Sequence, residues 1–305
     1  MSIKIKSPGT VANLVCGFDI LGLALKEPYD IMEFEVIDEP GVVIVNKDSF
    51  GLPTDPEKNV AGVVLLAAIE KAGFQKGIKV TIEKQIKPGS GLGSSAASAA
   101  GAAVGAARLM GDIFSTDDMV QLAMIGEKLA TGVKHADNIT PCILGGVTLI
   151  RSIYPLDIIP IASPDLYVTV VHPQIEVRTA DARQILRKQV YLKDAIKQWG
   201  NIAGLVAGLV SNDNALISRS LEDVIIEPVR SILIPNFDDV KTQCKAAGAL
   251  GGGISGSGPS IFMLSENESI ATDVGQIMKK IYDDIDIENN VYVTTINKTG
   301  VEVMH

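Results

Sequence analysis

Residues 87–98 read KPGSGLGSSAAS, and residues 99–111 continue as AAGAAVGAARLMG. The first stretch has three glycines at alternate positions, where the backbone can adopt positive φ and a ligand can approach without meeting a Cβ. The small residues that follow predict a helix that is capped by Ser94 and Ser95 and ends at Gly111. The first turn of such a helix offers free N–H groups and the positive end of a dipole, which together bind phosphate. The stretch therefore indicates a phosphate-binding loop, or else a glycine turn that serves only helix packing.

The composition limits the classes of protein to which the chain can belong. Its 305 residues are enough for two domains, and shares of 47% hydrophobic and 21% charged residues are typical of a soluble globular protein. No apolar run approaches the ~20 residues that span a membrane. The opening MSIKIKSPGT has lysines where a signal peptide needs an apolar stretch. A net charge of -9 gives no general attraction to nucleic acid or anionic lipid, so neither a nucleic acid nor a membrane is expected as a partner.

The number and spacing of the cysteines indicate the cellular compartment of the protein. Cys16, Cys142 and Cys244 are odd in number and widely separated, so their spacing matches neither a zinc site nor a disulfide framework. A reducing environment fits this pattern best. We therefore expect a cytoplasmic location.

Short strand patterns and longer helical patterns are mixed along the chain. Strands are predicted at 3–7, 31–37, 78–84, 167–172, 260–264 and 291–296. Helices are predicted at about 58–72, 94–110, 116–131, 236–247 and 269–283, with others between 179 and 219. This order predicts an α+β protein whose second half contains a split β-α-β layer. Prolines 155, 160 and 164 place a boundary that divides the chain into residues 1–160 and 161–305.

Other nucleotide-binding and catalytic motifs are missing or stand in the wrong context. The chain has no Gly-Lys pair, so the P-loop GxxxxGK[ST] is absent. Gly251, Gly253 and Gly256 match the dinucleotide-binding spacing, but a helical stretch precedes them and a strand follows, which reverses the order that the fold needs. The motifs HRD, HExxH and GxSxG are also missing, which argues against protein kinases, zincins and α/β-hydrolases.

Three blocks of the sequence carry a resemblance to a known family. PGSGLGSSAAS at 88–98 resembles the phosphate loop of the GHMP kinases, the superfamily of galactokinase and of homoserine, mevalonate and phosphomevalonate kinases. Two further blocks agree in order and spacing: SPGTVANLVCGFDILGLAL at 7–25 and GGGISGSGPSIFML at 251–264. One departure is visible, since the family usually has its proline where Lys87 stands, and here Pro88 follows it. The third block has a structural reading, as a helix-to-strand turn, and a functional one, as a segment that closes the cleft beside the phosphate loop.

Finer detail resembles the homoserine kinase branch of that superfamily. Its marks are ANLVCGFDILGLAL (12–25), GEKLATGVKHADNITPCILGG (126–146), EVRTADAR (176–183) and IIEPVRSILIPNF (225–237). The resemblance implies ATP-dependent conversion of L-homoserine to O-phospho-L-homoserine, on the route to threonine. It also implies an N-terminal domain like domain 2 of ribosomal protein S5 and a ferredoxin-like C-terminal domain, with the active site between them. A homodimer is considered as well.

The resemblance also assigns the site residues. The ATP-binding residues would be Asn59, Lys87, Pro88, Gly89, Ser90, Gly91, Leu92, Gly93, Ser94, Ser95, Ala96 and Ala97. The residues that bind L-homoserine would be Asn13, Asp19, His135, Asp137, Asn138, Thr179, Arg183 and Arg230. Ser95 and Glu127 would hold Mg²⁺, and these two residues together with Asn138 would form the catalytic set.

Each assignment can be compared with the plainer role that its residue type usually has. Glu127 lies between apolar neighbours, where an inward carboxylate needs a partner such as a cation, although most helical glutamates are simply exposed. Arg183 and Arg230 suit the carboxylate of a zwitterion, and Asp19 suits its ammonium. Arginines on a solvated surface and an aspartate in an ordinary turn would give the same sequence pattern. A lone histidine beside a glycine turn, such as His135, is more often structural.

Asn138 stands where many GHMP kinases have an aspartate near the acceptor hydroxyl. An amide cannot accept the hydroxyl proton. In a loose transition state, however, the proton can leave late, and positioning contributes most of the catalysis. We therefore expect Asn138 to orient the hydroxyl, with no side-chain base required.

Two alternative functions remain open from the sequence alone. The chain could be another small-molecule GHMP kinase of the mevalonate type, although mevalonate has no ammonium for Asp19. It could also be a non-catalytic nucleotide or amino-acid sensor, although Ser95, Glu127 and the full glycine loop are all retained.

Overall fold

A computed structural model describes residues 2–304, which form eleven strands in two sheets, ten α-helices and one 3-10 helix. The strands are β1 (Ser2–Ala12), β2 (Leu21–Ile37), β3 (Val42–Asn46), β4 (Gly77–Glu83), β5 (Val147–Ile153), β6 (Leu156–Ile161), β7 (Tyr167–Pro173), β8 (Gly251–Ile254), β9 (Ile261–Ser265), β10 (Asn289–Thr295) and β11 (Glu302–Met304). The helices are α1 (Val60–Ala72), α2 (Ser94–Leu109), α3 (Thr116–Thr131), α4 (Ile139–Leu144), α5 (Thr179–Gln184), α6 (Leu192–Ser211), α7 (Asn214–Ser220), α8 (Glu227–Arg230), the 3-10 helix Ser231–Leu233, α9 (Phe237–Ala246) and α10 (Glu268–Asp283).

The first sheet has the order β11-β1-β2-β4-β3, and β5 joins β2 and is followed by β6. All its pairings are antiparallel except that of β3 with β4. Helix α2 lies against β1 and β2 and also contacts α1, α3 and α4. This arrangement places α2 at the centre of the larger hydrophobic core.

The small residues of α2 allow this central position. Of its sixteen residues only Ser95 and Arg108 are not buried. A Cβ added at Gly101 would come within 2.5 Å of the Met32 sulfur, and one at Gly105 within 2.5 Å of the Phe34 ring. The glycines therefore let α2 pack close to β2, and the same packing fixes the start of the helix where the phosphate loop ends.

The second sheet has the order β10-β7-β9-β8, and its pairings are all antiparallel. Helix α10 packs against β7, β9 and β10, and α9 packs against α10 and β8. These contacts form a second core around the buried Tyr282. Among the helices of residues 2–304, we find none with the length and hydropathy required to cross a bilayer.

The α+β prediction is confirmed, and most predicted segments lie within two residues of the observed elements. The exceptions are β1, which ends five residues later than predicted, and β2, which begins ten residues earlier. Five strands were not predicted: β3, β5, β6, β8 and β11. Strand β8 corrects the reading of the second glycine block as a turn, because Gly251–Ile254 pairs with β9. A Cβ at Gly252 would collide with the backbone oxygen of Phe262, so the glycines here serve close strand pairing.

The prediction that Ser94 and Ser95 cap α2 was wrong. The N-cap is Gly93, which has φ 68° and makes no side-chain cap bond. Ser94 Oγ donates to the Ile86 carbonyl oxygen at 2.8 Å, and Ser95 Oγ donates to Glu127 at 2.9 Å. Because both hydroxyls have tertiary partners, no side-chain cap occupies the N–H groups of the first turn of α2.

The division at residues 160 and 161 stays a prediction. The first sheet includes β6, which ends at Ile161, and the second sheet begins with β7 at Tyr167. The first sheet also includes β11, where Lys4 is paired with Met304 and Lys6 with Glu302.

Candidate active site

A cavity of about 390 Å³ is lined by most of the residues that the sequence assigned to a site. Those that line it are Asn13, Asp19, Asn59, Pro88, Gly89, Gly91, Gly93, Ser94, Ser95, Glu127, His135, Asp137, Asn138, Thr179, Arg183 and Arg230. They run from residue 13 to residue 230, so the fold brings together blocks that are far apart in sequence. Two residues of the second glycine block, Gly256 and Ser257, line the same cavity.

Five predicted ATP-binding residues do not line this cavity. Ser90, Leu92, Ala96 and Ala97 are buried, and the last three lie in the hydrophobic core. Lys87 Nζ instead donates to Gln174 at 2.6 Å. These five residues therefore support the loop on the side away from the cavity.

The glycine loop has the conformation that its sequence predicts. Gly89, Gly91 and Gly93 have φ values of 77°, 81° and 68°. A Cβ at Gly91 would come within 2.7 Å of the carbonyl oxygens of Ser255 and Gly258, and Ser255 Oγ donates to the Gly91 carbonyl oxygen at 2.7 Å. The second glycine block therefore packs directly on the phosphate loop and fixes its shape.

Glu127 lies on α3, which packs beside α2, and its side chain faces the first turn of α2. It is only 5% exposed and accepts a hydrogen bond from Ser95 Oγ at 2.9 Å. Burial raises the pKa of Glu127, and the Ser95 hydroxyl opposes this shift. The idea of an exposed helical glutamate is thus excluded, and an oxygen pair suited to a hard cation stands beside the phosphate loop.

No group of three or more His, Cys, Asp or Glu residues within 2–304 is arranged as a metal site. A site built from Ser95 and Glu127 therefore needs further oxygens from a ligand. That requirement fits Mg²⁺, which proteins often bind through one or two carboxylates together with substrate phosphates.

The first sequence block forms an unusual loop between β1 and β2. Asn13, Leu14 and Val15 have φ values of 75°, 41° and 66°, and Asp19 has 61°. Asn13 stabilises the loop, because its Nδ2 donates to the Gly256 carbonyl oxygen at 2.9 Å and its Oδ1 accepts from the Asp19 N–H at 3.0 Å. Left-handed non-glycine residues are strained and persist where their surroundings hold them, often at functional sites.

Asp19 and the two arginines meet in this cavity. Arg183 Nη2 donates to both carboxylate oxygens of Asp19, at 2.9 and 3.0 Å. Arg230 is 4% exposed and donates to the carbonyl oxygens of Ala182 at 2.9 Å and Gly256 at 3.2 Å. Burial and the neighbouring Arg183 lower the pKa of Arg230 to about 10, so it stays charged at neutral pH. Since a guanidinium has five N–H donors, both arginines keep donors for a ligand.

His135 and Asp137 lie in the same cavity as Asp19 and the two arginines. His135 Nδ1 lies 3.7 Å from Asp19, while its buried Nε2 has no hydrogen-bond partner within residues 2–304. Burial is the main reason that the pKa of His135 is lowered. Burial also raises the pKa of Asp137 to about 7, with the charges of Asp19 and Glu127 adding to the shift. A positive ligand group would remove this cost, because it favours the ionised carboxylate.

Asn138 is the N-cap residue of α4, directly after Asp137, and its side chain lies close to Gly93 of the phosphate loop. Its Oδ1 accepts a hydrogen bond from Thr10 Oγ1 at 2.7 Å. The Thr10 N–H donates to the carbonyl oxygen of Leu92 at 3.1 Å, inside the glycine loop. Thr10 thus contacts both the loop and Asn138, and a Cβ at Gly93 would collide with the Thr10 hydroxyl.

Two other predicted residues have clear structural partners. Asn59 caps α1, since its Oδ1 accepts from the N–H groups of Ala61 and Gly62 at 2.9 and 3.2 Å. Thr179 is the first residue of α5, and its Oγ1 lies 3.2 Å from Ser257 Oγ. Each also lines the cavity, so a structural role and a ligand contact are compatible.

The sequence analysis did not identify several of the residues that line the cavity. Phe18 packs under both guanidinium groups, with ring-centroid distances of 5.5 Å to Arg183 and 4.8 Å to Arg230. Lys84 is fully buried in an ion pair with Asp30 and donates to the Ser94 carbonyl oxygen at 2.9 Å. Phe18 stands within the first block, but no local pattern connects it to arginines on distant helices. The remaining wall has six apolar residues, Leu52, Pro53, Val60, Ile82, Leu129 and Ala130, and three polar ones, Lys58, Ser98 and Thr131.

Comparison with known proteins agrees with this geometry. Residues 59–146 match the GHMP kinases N terminal domain, and residues 205–284 match the GHMP kinases C terminal family. A homoserine kinase of Chloroherpeton thalassium is 43% identical over 98% of each chain. A homoserine kinase of Methanocella arvoryzae is 41% identical over 100% of this chain and 98% of its own.

Solved structures give the same result. The crystal structure of homoserine kinase from Cytophaga hutchinsonii has a TM-score of 0.96 and 48% identity, covering 99% of this chain and 97% of its own. L. major mevalonate kinase, solved in complex with R-mevalonate, has a TM-score of 0.74 at 17% identity, covering 97% and 96%, and shares the fold. The chain therefore belongs to the homoserine kinase branch of the GHMP kinase family.

Proposed function

We propose that this chain transfers the γ-phosphoryl group of ATP to the hydroxyl of L-homoserine, yielding O-phospho-L-homoserine and ADP for threonine biosynthesis. One observation carries the proposal. A glycine loop at a helix start shares a single cavity with the guanidinium groups of Arg183 and Arg230 and the carboxylates of Asp19 and Asp137. Phosphate and an amino-acid zwitterion are the chemical groups that this combination of charges suits.

The phosphates of ATP would lie against the loop and the first turn of α2, where N–H groups converge. The apolar wall formed by Leu52, Pro53, Val60 and their neighbours is the part of the cavity suited to the adenine base. Asn59, at the start of α1, stands on this same side of the cavity. Family membership supports ATP as the donor.

Ser95 and Glu127 are the residues that would hold Mg²⁺. When bound, the ion would offset negative charge on the phosphate oxygens. The Ser95 hydroxyl now donates to Glu127, and it would turn its lone pairs to a cation instead. Ionised Glu127 would then gain the positive partner that its burial calls for.

The acceptor site would bind both ends of the zwitterion. Arg183 and Arg230 would donate to the α-carboxylate, and the Phe18 ring would hold the two guanidinium groups in place. Asp19 and Asp137 would accept from the ammonium, and the unpartnered Nε2 of His135 is available to the same ligand. Binding both ends fixes where the side-chain hydroxyl lies relative to the loop.

The chemical step needs few groups from the protein. The hydroxyl oxygen forms a bond to the γ-phosphorus, the bond from that phosphorus to the β–γ bridging oxygen breaks, and the hydroxyl proton leaves late to a phosphate oxygen. Thr10 donates to Asn138 Oδ1, so the Asn138 NH₂ group is left to orient the acceptor oxygen. No side-chain base is assigned, and positioning supplies the rate gain.

The cavity also bears on the two alternative functions. A mevalonate-type acceptor would leave Asp19 and Asp137 without an ammonium, and a carboxylate buried as deeply as Asp137 is costly without a partner. A silent sensor would bind the same ligands and form no product. A cytoplasmic location remains our expectation.

The test is ADP release with ATP and Mg²⁺, comparing L-homoserine with L-serine, L-threonine, mevalonate and no acceptor, with the product identified by mass. Turnover with L-homoserine alone supports the proposal. Turnover with mevalonate only would overturn the zwitterion site, and ATP binding without turnover on any acceptor would favour the sensor.

A further inference from the structure

A fully buried ion pair lies next to the phosphate loop and takes no part in the phosphoryl transfer proposed above. It joins Asp30 of β2 to Lys84, the residue that follows β4, and their side chains are 0% and 1% exposed. The glycine-rich residues 87–93 run from this region to the start of α2. We call Asp30 and Lys84 the buried pair.

Asp30 holds the chain where it enters the loop. Its Oδ1 accepts hydrogen bonds from the N–H groups of Gln85 and Ile86, at 2.8 and 2.9 Å. Its Oδ2 accepts from the Lys84 ammonium. Because Gln85 and Ile86 come after the end of β4, the carboxylate supplies the hydrogen-bond partners that a neighbouring strand would otherwise provide.

Lys84 holds the chain where it leaves the loop. Its ammonium donates to the Ser94 carbonyl oxygen at 2.9 Å and to Ser98 Oγ at 2.8 Å, about one turn further along α2. With the bond to Asp30, all three donors of the ammonium are used. The Ser94 hydroxyl in turn donates to the Ile86 carbonyl oxygen at 2.8 Å. A closed set of hydrogen bonds therefore ties the entry of the loop to its exit.

The chemistry of the buried pair indicates a role other than stability. Removing a carboxylate and an ammonium from water is unfavourable, and apolar side chains of similar volume often stabilise a fold equally well or better. Directional hydrogen bonds can do what apolar packing does less well, which is to fix the separation of two backbone segments. The two charges also offset each other, so the pair acts on a bound phosphate through geometry rather than through attraction.

The loop is a segment that needs such support. Gly89, Gly91 and Gly93 all have positive φ, and glycine loses more conformational freedom than any other residue when its backbone is fixed. A loop that became ordered only when the nucleotide bound would lower the affinity, whereas a loop that is fixed in advance would not. Ser255 already holds the middle of the loop through the Gly91 carbonyl oxygen, and the buried pair holds its two ends.

We propose that Asp30 and Lys84 are positioning residues for the nucleotide. By fixing the separation between the entry of the loop and the first turn of α2, they preorganise the N–H groups that receive the phosphates of ATP. The proposal rests on the proposed function in taking ATP as the ligand of the loop. Acceptor binding should not depend on the buried pair, because its hydrogen bonds run to the two ends of the loop.

The test is the double variant Asp30→Asn with Lys84→Met, which removes both charges and leaves no buried charge unpaired. The new amide oxygen can still accept from the two backbone N–H groups, but the thioether cannot donate to Ser94 or Ser98. The Kd for ATP with Mg²⁺ should rise about 10- to 100-fold. The Kd for L-homoserine should stay within about twofold and Tm should change little. Calorimetry and thermal unfolding measure these quantities.

The matched control is the double variant Glu35→Gln with Lys79→Met. Lys79 Nζ lies 2.9 Å from Glu35 Oε2, and the two residues are paired across the same two strands, β2 and β4, but their side chains are 38% and 42% exposed. Both dissociation constants should be unchanged in this control. An unchanged ATP Kd in the Asp30 and Lys84 variant overturns the proposal, and so does an equal weakening of ATP and homoserine binding.

A milder variant decides the question if the double variant does not fold. Ser98→Ala removes one of the three acceptors of Lys84 and leaves both charges in place. The ATP Kd should rise about 3- to 10-fold with the homoserine Kd unchanged, and an ATP Kd equal to that of the parent chain overturns the proposal here too.

These measurements record binding, so they separate the role of the buried pair from the reaction. A parent chain that binds ATP but forms no product would overturn the proposed function, while the variants would still decide the role of the pair. A parent chain that does not bind ATP would overturn both.

Discussion

The hydroxyl of Thr10 donates to Asn138 Oδ1 at 2.7 Å, while the Thr10 N–H donates to the carbonyl oxygen of Leu92 in the phosphate loop at 3.1 Å. A single residue of β1 therefore sets the position of Asn138 relative to the loop. Since Asn138 is proposed to orient the acceptor and the loop to hold the donor, this contact governs how the two reactants meet.

Replacing Thr10 by valine should lower kcat about 10- to 100-fold, because the Asn138 amide loses the hydrogen bond that fixes it. Thr10→Ser keeps the hydroxyl and should retain most activity. The KM for ATP should change little in either variant. Steady-state kinetics with both substrates check this, and equal losses in the valine and serine variants would contradict the role of the hydroxyl.

Asn138→Asp should not raise turnover, because a loose transition state gains little from a base. We expect a lower kcat from the added negative charge near the transferring phosphate, and a rate profile without a new acidic limb. Asn138→Ala is the control that measures the loss of orientation alone. A many-fold rise in kcat with a new acidic pKa in the profile would show that a base does assist.

Arg183→Lys should raise the KM for L-homoserine about 10- to 100-fold and leave the KM for ATP within about twofold, because an ammonium cannot reproduce the forked donors. The matched control is Arg178→Lys on the same segment, where the side chain is 70% exposed and pairs with Asp181 instead. An unchanged homoserine KM in the Arg183 variant would remove this arginine from the acceptor site.

The affinity for L-homoserine should fall as the pH drops below about 7. The pKa of Asp137 is raised to about 7, chiefly by burial, so below that pH the carboxyl is protonated and cannot pair with the substrate ammonium. The homoserine KM should rise towards tenfold for each further pH unit, while the ATP KM stays flat. Asp137→Asn should bind weakly at every pH; a pH dependence that survives in this variant would point to another group.

Glu127→Gln should separate function from stability. Burial raises the pKa of Glu127, which means that the ionised form weakens the fold increasingly as the pH rises above the ordinary value of a glutamate. The amide removes that cost, so Tm at neutral pH in the absence of Mg²⁺ should stay equal or rise. Turnover should fall by about 100-fold or more, with a higher Mg²⁺ requirement. A large drop in Tm would mean that the carboxylate is chiefly structural.

Local sequence features predicted the parts of the site that local structure determines. The glycine loop and the helix after it follow from backbone freedom and helical periodicity, and those elements lie where expected. Glu127 was assigned by the family resemblance, because its position alone favoured an exposed glutamate. The hydrogen-bond partners of Ser94 and Ser95 could not be predicted in this way. Serines at a helix start usually cap the helix, but here their partners are Ile86 and Glu127, which lie in other parts of the chain.

Contacts between distant segments could not be read from the chain. The pairing of Asp19 with Arg183, and the Phe18 ring beneath two arginines, join residues that no periodicity relates. Strand β11 is three residues long and β8 is almost wholly glycine, so neither has the alternating pattern by which strands are recognised. For these elements tertiary pairing decides the structure.

The pairing of β11 with β1 has a consequence for synthesis. Residues 302–304 supply the edge strand of a sheet whose first strand begins at Ser2, and nearby Asn297 exchanges backbone hydrogen bonds with Ala24 and Gly146 of that same half. On the ribosome, the N-terminal half emerges long before these partners. Until residues 302–304 are synthesised, β1 has an open edge on that side of its sheet, so completion of the first sheet depends on the far end of the described chain.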